Sequence, residues 1–141
     1  MSVLKSFEKN PARIFNPGQL LITESGPPGS LYVLESGEVE VLRHGMVVAT
    51  IAEPGAIIGE MSVLLDRPHS ASVRAKTTVM AHVVENAAQA LRKHPDLTYK
   101  VAQILARRLG STTAFLVESR EKLEQTSDLD FLEKVYDLLG R

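Results

Sequence analysis

The sequence contains no cysteine and no tryptophan, and has only three tyrosines and four phenylalanines among 141 residues. Without cysteine there are no disulfides, no thiolate metal sites and no cysteine nucleophile. Neither charge is in excess: 16 Lys and Arg stand against 17 Asp and Glu, a formal net charge of −1. No basic field therefore marks a nucleic-acid or anionic-membrane surface. No run approaches the roughly 18 consecutive apolar residues that cross a bilayer. No apolar stretch of a secretory signal follows Met1-Ser2-Val3-Leu4-Lys5. The expectation is a cytoplasmic protein with neither DNA nor membrane as a partner. Histidines occur at 44, 69, 82 and 94. No two have the i, i+4 spacing of a helical metal site, and none sits beside a Gly-x-Ser-x-Gly turn. Neither a metal, nor a cofactor, nor catalysis is expected.

What is present divides into two textures. From about residue 11 to 85 the chain is rich in Val, Ile and Thr, with glycines at 18, 26, 29, 37, 45, 55 and 59. Short apolar runs between glycine turns predict antiparallel β structure. Leu31-Tyr32-Val33-Leu34 reads as a strand, and Glu38-Val39-Glu40-Val41 alternates as a half-buried strand should. His44-Gly45 predicts a hairpin turn into Met46–Ile51. Residues 70–75 and 79–84 predict two further strands, and Gly26-Pro27-Pro28-Gly29 a rigid exposed loop. His82, in an apolar strand, reads as a structural residue with satisfied ring nitrogens, and Glu38 and Glu40 as the solvent face of a strand.

From Asn86 onward the pattern is helical. Asn86 is placed to cap a short helix ending near Lys93, and Pro95 suits the first turn of a second. The second helix is predicted to run to about Gln125, with Gly110 as a point of kinking or division. Asp128 is placed to cap a last helix with Leu132, Val135, Tyr136 and Leu139 on one face. Leu105, Leu109, Thr112, Leu116, Ser119, Leu123 and Thr126 repeat at alternating spacings of four and three, a short heptad seam. Such a stripe fits packing against the chain's own β structure or a parallel helix pair between two copies. The domain expected is 1–126, with a β region of about 11–85 and helices over 86–126. Residues 127–141 are expected to form a separate C-terminal helix.

The segment 59–73 reads Gly-Glu-Met-Ser-Val-Leu-Leu-Asp-Arg-Pro-His-Ser-Ala-Ser-Val. Gly59 permits close approach of the backbone to another group. Residues 60–65 allow one or two helical turns whose free N–H groups suit an anion. Ser70 and Ser72 add small hydroxyls at the start of a strand. By themselves these features fit a phosphate site or simply a turn followed by a strand.

The whole segment resembles the phosphate-binding cassette of cyclic nucleotide-binding domains. These include catabolite activator proteins, the regulatory subunits of cyclic-AMP-dependent kinase, and cyclic-nucleotide-gated channels. The family pattern is Gly-Glu, a small or apolar run, then Pro-Arg-Ser/Thr-Ala-Ser/Thr-Val. This chain matches it at Gly59, Glu60, Pro68, Ser70, Ala71, Ser72 and Val73. Ser36-Gly37-Glu38 and Glu53-Pro54-Gly55 resemble the family's strand turns, and the likeness extends over about 7–126. It implies a mainly β, α+β fold: an antiparallel, jelly-roll-like β-roll with a short N-terminal helix and C-terminal helices. It also implies a pocket for cAMP or cGMP lined by Gly59, Glu60, Met61, Ser62, His69, Ser70 and Ala71. On the resemblance, Glu60 accepts from the ribose 2′-hydroxyl, Gly59 contacts the ribose through its backbone, and Ser70 donates to the cyclic phosphate. Thr112 and Thr113 align where side chains read the base edge, one of them across a dimer; simple seam or surface polarity also explains them.

The chain departs from the family at His69, where the pattern has Arg. Arg is a permanent planar fork of donors, whereas His is only partly charged near neutrality. Arg67 and Arg74 lie nearby, and Arg74 shares strand parity with Ser70 and Ser72. The resemblance thus implies a cyclic nucleotide sensor that signals through its C-terminal helices, by homodimerisation along 105–126 or to an effector protein through the apolar face of 129–139. A cassette that no longer binds, in a ligand-independent interaction module, is the alternative. The residues after the roll are too few for the family's winged helix–turn–helix.

Overall fold

The computed structural model describes residues 3–123 together with Glu133, Val135, Asp137 and Leu138. The chain divides into two units, one ending at Val101 and one beginning at Ala102. The first opens with helix α1 (Val3–Ser6) and continues through β1 (Ala12–Phe15), β2 (Leu20–Ile22), β3 (Leu31–Ser36), β4 (Val39–Arg43), β5 (Met46–Ile51) and β6 (Ile57–Ile58). Helix α2 (Glu60–Leu65) follows, then β7 (Ser72–Ala75), β8 (Val79–Val84), α3 (Ala87–Lys93) and the start of α4 (Pro95–Leu123). The strands form two four-stranded antiparallel sheets, ordered β1-β8-β3-β6 and β2-β7-β4-β5. This is the jelly-roll-like arrangement expected from the strand pattern and the resemblance.

Alternation places the core. In β7, Val73 and Ala75 are buried while Ser72 and Arg74 are only half-buried; in β8, Val79, Ala81 and Val83 turn inward. They meet Phe15, Leu21, Ile22, Tyr32, Leu34, Val39 and Ile58. The Phe15 and Tyr32 rings meet edge-on at 6.0 Å between centroids. β3 is buried along both faces from Leu31 to Leu34, which explains its unbroken apolar run. The outward polar positions pair across strands: Arg74 with Glu40 at 3.5 Å and Lys76 with Glu38 at 3.8 Å. Between β4 and β5, His44 (φ 52°) and Gly45 (φ 79°) both take the left-handed conformation, as the two-residue hairpin turn requires. His82 is satisfied at both ring nitrogens, Nδ1 lying 2.8 Å from the Asn10 carbonyl and Nε2 3.0 Å from Glu35 Oε2.

Several local expectations need correction. Asn86 stands at the N-cap of α3, which ends at Lys93 as expected, but its side chain makes no capping hydrogen bond and its backbone is left-handed, φ 47°. Gly110 neither divides nor ends α4, which runs unbroken from Pro95 to Leu123; a single glycine costs a helix only about 1 kcal/mol. β7 starts at Ser72, two residues later than expected, because residues 70 and 71 belong to the loop that enters it.

In the second unit, α4 carries no fully buried side chain. Leu105 and Leu116 are half-buried, while Leu109 and Phe115 are 53% and 66% exposed. Arg120 pairs with Glu133 at 3.6 Å. Of the expected C-terminal apolar face, Val135 is half-buried; Asp128, Leu132, Tyr136 and Leu139 lie outside the described residues. Among the described residues no helix is long and apolar enough to cross a membrane, and no cluster of side chains could hold a metal ion.

Candidate functional site

The polypeptide turns sharply at Gly59, between β6 and α2, with φ 94°. A Cβ there would lie 3.1 Å from both the Ile22 Cδ1 and the Ser30 carbonyl oxygen. Only glycine satisfies both the backbone and the space. Gly59→Ala is expected to destabilise the fold by about 1–2 kcal/mol from the left-handed backbone alone. An unchanged denaturant midpoint would contradict this account of the turn.

The turn sets Glu60 at the head of α2, where it is 7% exposed, with Ser62 and Val63 buried behind it. Helix α2 is short, and Asp66 closes it in the left-handed region, its N–H donating to the Ser62 carbonyl. The returning loop then brings His69, Ser70 and Ala71 beside the helix. One open cavity of about 100 Å³ is lined by Gly59, Glu60, Met61, Ser62, His69, Ser70 and Ala71, with Ile22 and Val73 as its apolar wall. Seven of the expected site residues are thus gathered in one place. Thr112 and Thr113 are exposed positions of α4 in the second unit. Ile22 lies outside the 59–73 motif. Its burial in β2 is legible as core, but not its contact with a turn 37 positions away in the chain.

The polar groups of the loop are sorted by direction. His69 donates its N–H to the Gly26 carbonyl (3.0 Å) and accepts from the Ser25 N–H (2.8 Å). The Ser72 hydroxyl accepts from the Glu24 N–H (2.8 Å), so it faces away from the cavity. No described group of the chain accepts from the N–H of Ser70 or Ala71. Both residues line the cavity. Neither arginine considered above replaces the family Arg: Arg74 is committed to Glu40, and Arg67 is exposed outside the cavity lining.

Among the described residues, Glu60 and His69 are the titratable side chains in the lining. Burial pushes the His69 imidazole below its ordinary value of 6.5. An ordinary histidine is about one-quarter protonated at pH 7, and His69 is less so. The folded value lies below the unfolded one, so the unfolded chain takes up this proton first. The contribution of neutral His69 to stability is complete above pH 6.5 and is lost as pH falls through the lowered folded value. Substituting His69 by Gln should flatten the stability–pH curve in that window, as measured by urea unfolding; a curve of unchanged slope would contradict the assignment.

Comparison with known proteins gives the site its context. The model of the cyclic nucleotide-binding domain family matches residues 12–93, a stretch that holds all eight strands with α2 and α3. The chain is 38% identical to Glutaminase 2 of Bradyrhizobium diazoefficiens over 109 residues, which is 72% of this chain and 17% of that protein. It is 39% identical over 85 residues to the cAMP-dependent protein kinase regulatory subunit of Yarrowia lipolytica, covering 55% of this chain and 22% of that one. The chain thus spans only a minor part of the length of these curated relatives. The catabolite activator protein of Thermus thermophilus superposes with a TM-score of 0.65 at 26% identity, covering 84% of this chain and 59% of that chain. Motif, strand order and family match agree, and the chain belongs to the cyclic nucleotide-binding domain family.

Proposed function

We propose that this domain is a sensor that binds cAMP, or cGMP, in the cavity between α2 and the 69–71 loop. The observation that carries the reading is that one small cavity is lined by the buried Glu60 and by Ser70 and Ala71, whose N–H groups have no acceptor among the described residues. Glu60 is a strong acceptor placed for the ribose 2′-hydroxyl. The N–H groups of Ser70 and Ala71 and the Ser70 hydroxyl are placed for the cyclic phosphate, aided by the partial positive charge of the first turn of α2. Met61 and Ser62 complete the wall beside the sugar. A cavity of about 100 Å³ is small beside the roughly 300–1,000 Å³ of sites that enclose a whole ligand. It therefore seats the sugar and phosphate, and the base extends past the rim. Thr112 and Thr113 are the side chains we assign to the base edge.

The output runs through the C-terminal helices. The exposed apolar positions of α4 support a homodimer seam along 105–126, and residues 129–139 are the surface for an effector protein. DNA, membrane and metal have no part in this scheme, the chain itself carries no catalysis, and the setting is the cytoplasm. One observation favours a second reading, a ligand-independent interaction module: the lining contains no Lys or Arg, and its one histidine is pushed toward the neutral form. Calorimetric titration with cAMP and cGMP, with size-exclusion chromatography on the same samples, separates the two. The sensor gives saturable heat and a change in elution. The interaction module gives no heat at millimolar ligand.

A further inference from the structure

The segment that precedes the cassette in space is far from it in sequence. Residues 23–26 form a tight turn closed by the Gly26 N–H donating to the Thr23 carbonyl at 2.9 Å. Ser25 takes φ 67° within it, a conformation unusual for a residue with a side chain. Gly26 has no room for a Cβ, which would fall 2.8 Å from the Thr23 carbonyl oxygen. This tight, sterically demanding turn makes three hydrogen bonds to the cassette loop. Glu24 N–H donates to Ser72 Oγ at 2.8 Å, Ser25 N–H to the His69 carbonyl at 2.8 Å, and the Gly26 carbonyl accepts from His69 N–H at 3.0 Å. The three bonds pin the loop at positions 69 and 72, the two residues that flank Ser70 and Ala71. The Glu24 carboxylate continues outward and accepts from the His44 N–H, at 3.1 and 3.4 Å to its two oxygens.

We propose that the turn of residues 23–26 is a brace for the phosphate loop, with Ser72 as a positioning residue and Glu24 as the link to the β4–β5 hairpin turn. Loops carry binding groups well only when their backbones are held. Ser70 and Ala71 lie outside any strand and have no ladder to hold them. The hydrogen bonds of His69 and Ser72 are made on the side of the turn, and Ser70 and Ala71 between them line the cavity. The ordering entropy of the loop is then met in the ligand-free protein rather than at binding. Glu24 ties this brace to the hairpin turn through its carboxylate bonds to His44 N–H.

The inference rests on the cavity being a cyclic nucleotide site, and the test separates the two. Ser72→Ala removes the acceptor for Glu24 N–H, and Ser72→Thr keeps a hydroxyl. In the ligand-free protein, Ser72→Ala is expected to speed amide hydrogen exchange at Ser25 and His69 about tenfold or more, with protection in β3 and β8 unchanged. Affinity for cAMP should fall about 5- to 20-fold, and Ser72→Thr should restore both. Unchanged exchange at Ser25 and His69 overturns the brace whatever the ligand does. Faster exchange with unchanged affinity overturns Ser72 as a positioning residue. If the unsubstituted protein binds no cyclic nucleotide, the reading of the cavity falls, and the exchange measurements alone decide the brace.

Discussion

Removing the 2′-hydroxyl from the ligand is expected to weaken binding about 10- to 150-fold, the worth of one charge-assisted hydrogen bond. The acceptor is Glu60, 7% exposed and fixed by the turn at Gly59. Glu60→Gln keeps the shape and leaves a neutral acceptor of roughly half the strength. It should weaken cAMP binding about tenfold and leave 2′-deoxy-cAMP unaffected. The cycle of two proteins and two ligands isolates this contact from any general damage to the cavity. Equal losses for both ligands would mean that Glu60 supports the fold and does not read the sugar.

His69→Arg is expected to tighten binding about 10- to 100-fold by supplying a permanent charge at the position where the family has one. The imidazole already lines the cavity, with its Cε1 3.7 Å from where a Cβ on Gly59 would stand, so a longer side chain at this position starts from the cavity wall. The unsubstituted protein carries a pH signature of the same contact. Burial lowers the free His69 value, and an adjacent cyclic phosphate raises the bound one. Binding therefore takes up a proton between the two values. Affinity should be flat below the free-state value, fall as pH rises through the window, and level off above the bound-state value. His69→Arg should erase that slope. A pH-independent affinity in the unsubstituted protein would remove His69 from the contact, and an Arg variant no tighter than the parent would show that the loop does not present this side chain to phosphate.

Much of the fold was legible because its signals are local. The alternation of 72–75 and 79–84, the His44-Gly45 turn and the glycine at 59 each follow from backbone sterics and burial within a few residues. The short strands β1, β2 and β6 were not. Ala12–Phe15 shows an exposed Ile14 beside a buried Phe15, and Ile57–Ile58 is two residues long; both exist because β8 and β3 offer them an edge. Gly110 misled for the opposite reason, since its local propensity is weak beside the length of α4, whereas Asn86 marked the start of α3 correctly but without the expected side-chain cap.

The candidate site divides along the same line. The cavity lining from Gly59 to Ala71 was visible as one contiguous motif, and the structure closes it into a single cavity. Which of the two serines lines the cavity was not visible. Ser70 and Ser72 have the same strand parity, yet Ser72 is turned away by the Glu24 N–H, and Arg74 is drawn off by Glu40. Those partners lie 48 and 34 positions distant, beyond any motif. The turn of residues 23–26 gave no sign of its role, because a Ser-Gly turn is common and its bonds to His69 depend on the closed roll.

The central claim is that the donors of the 69–71 loop and the buried Glu60 close around one cyclic nucleotide. Amide chemical-shift mapping of the unsubstituted protein during titration with cAMP and cGMP tests it most directly. The account predicts saturable shifts concentrated at Gly59, Glu60, Ser70 and Ala71, with the largest at the Ser70 and Ala71 amides. No shift at these four amides at millimolar concentrations of both nucleotides would contradict it.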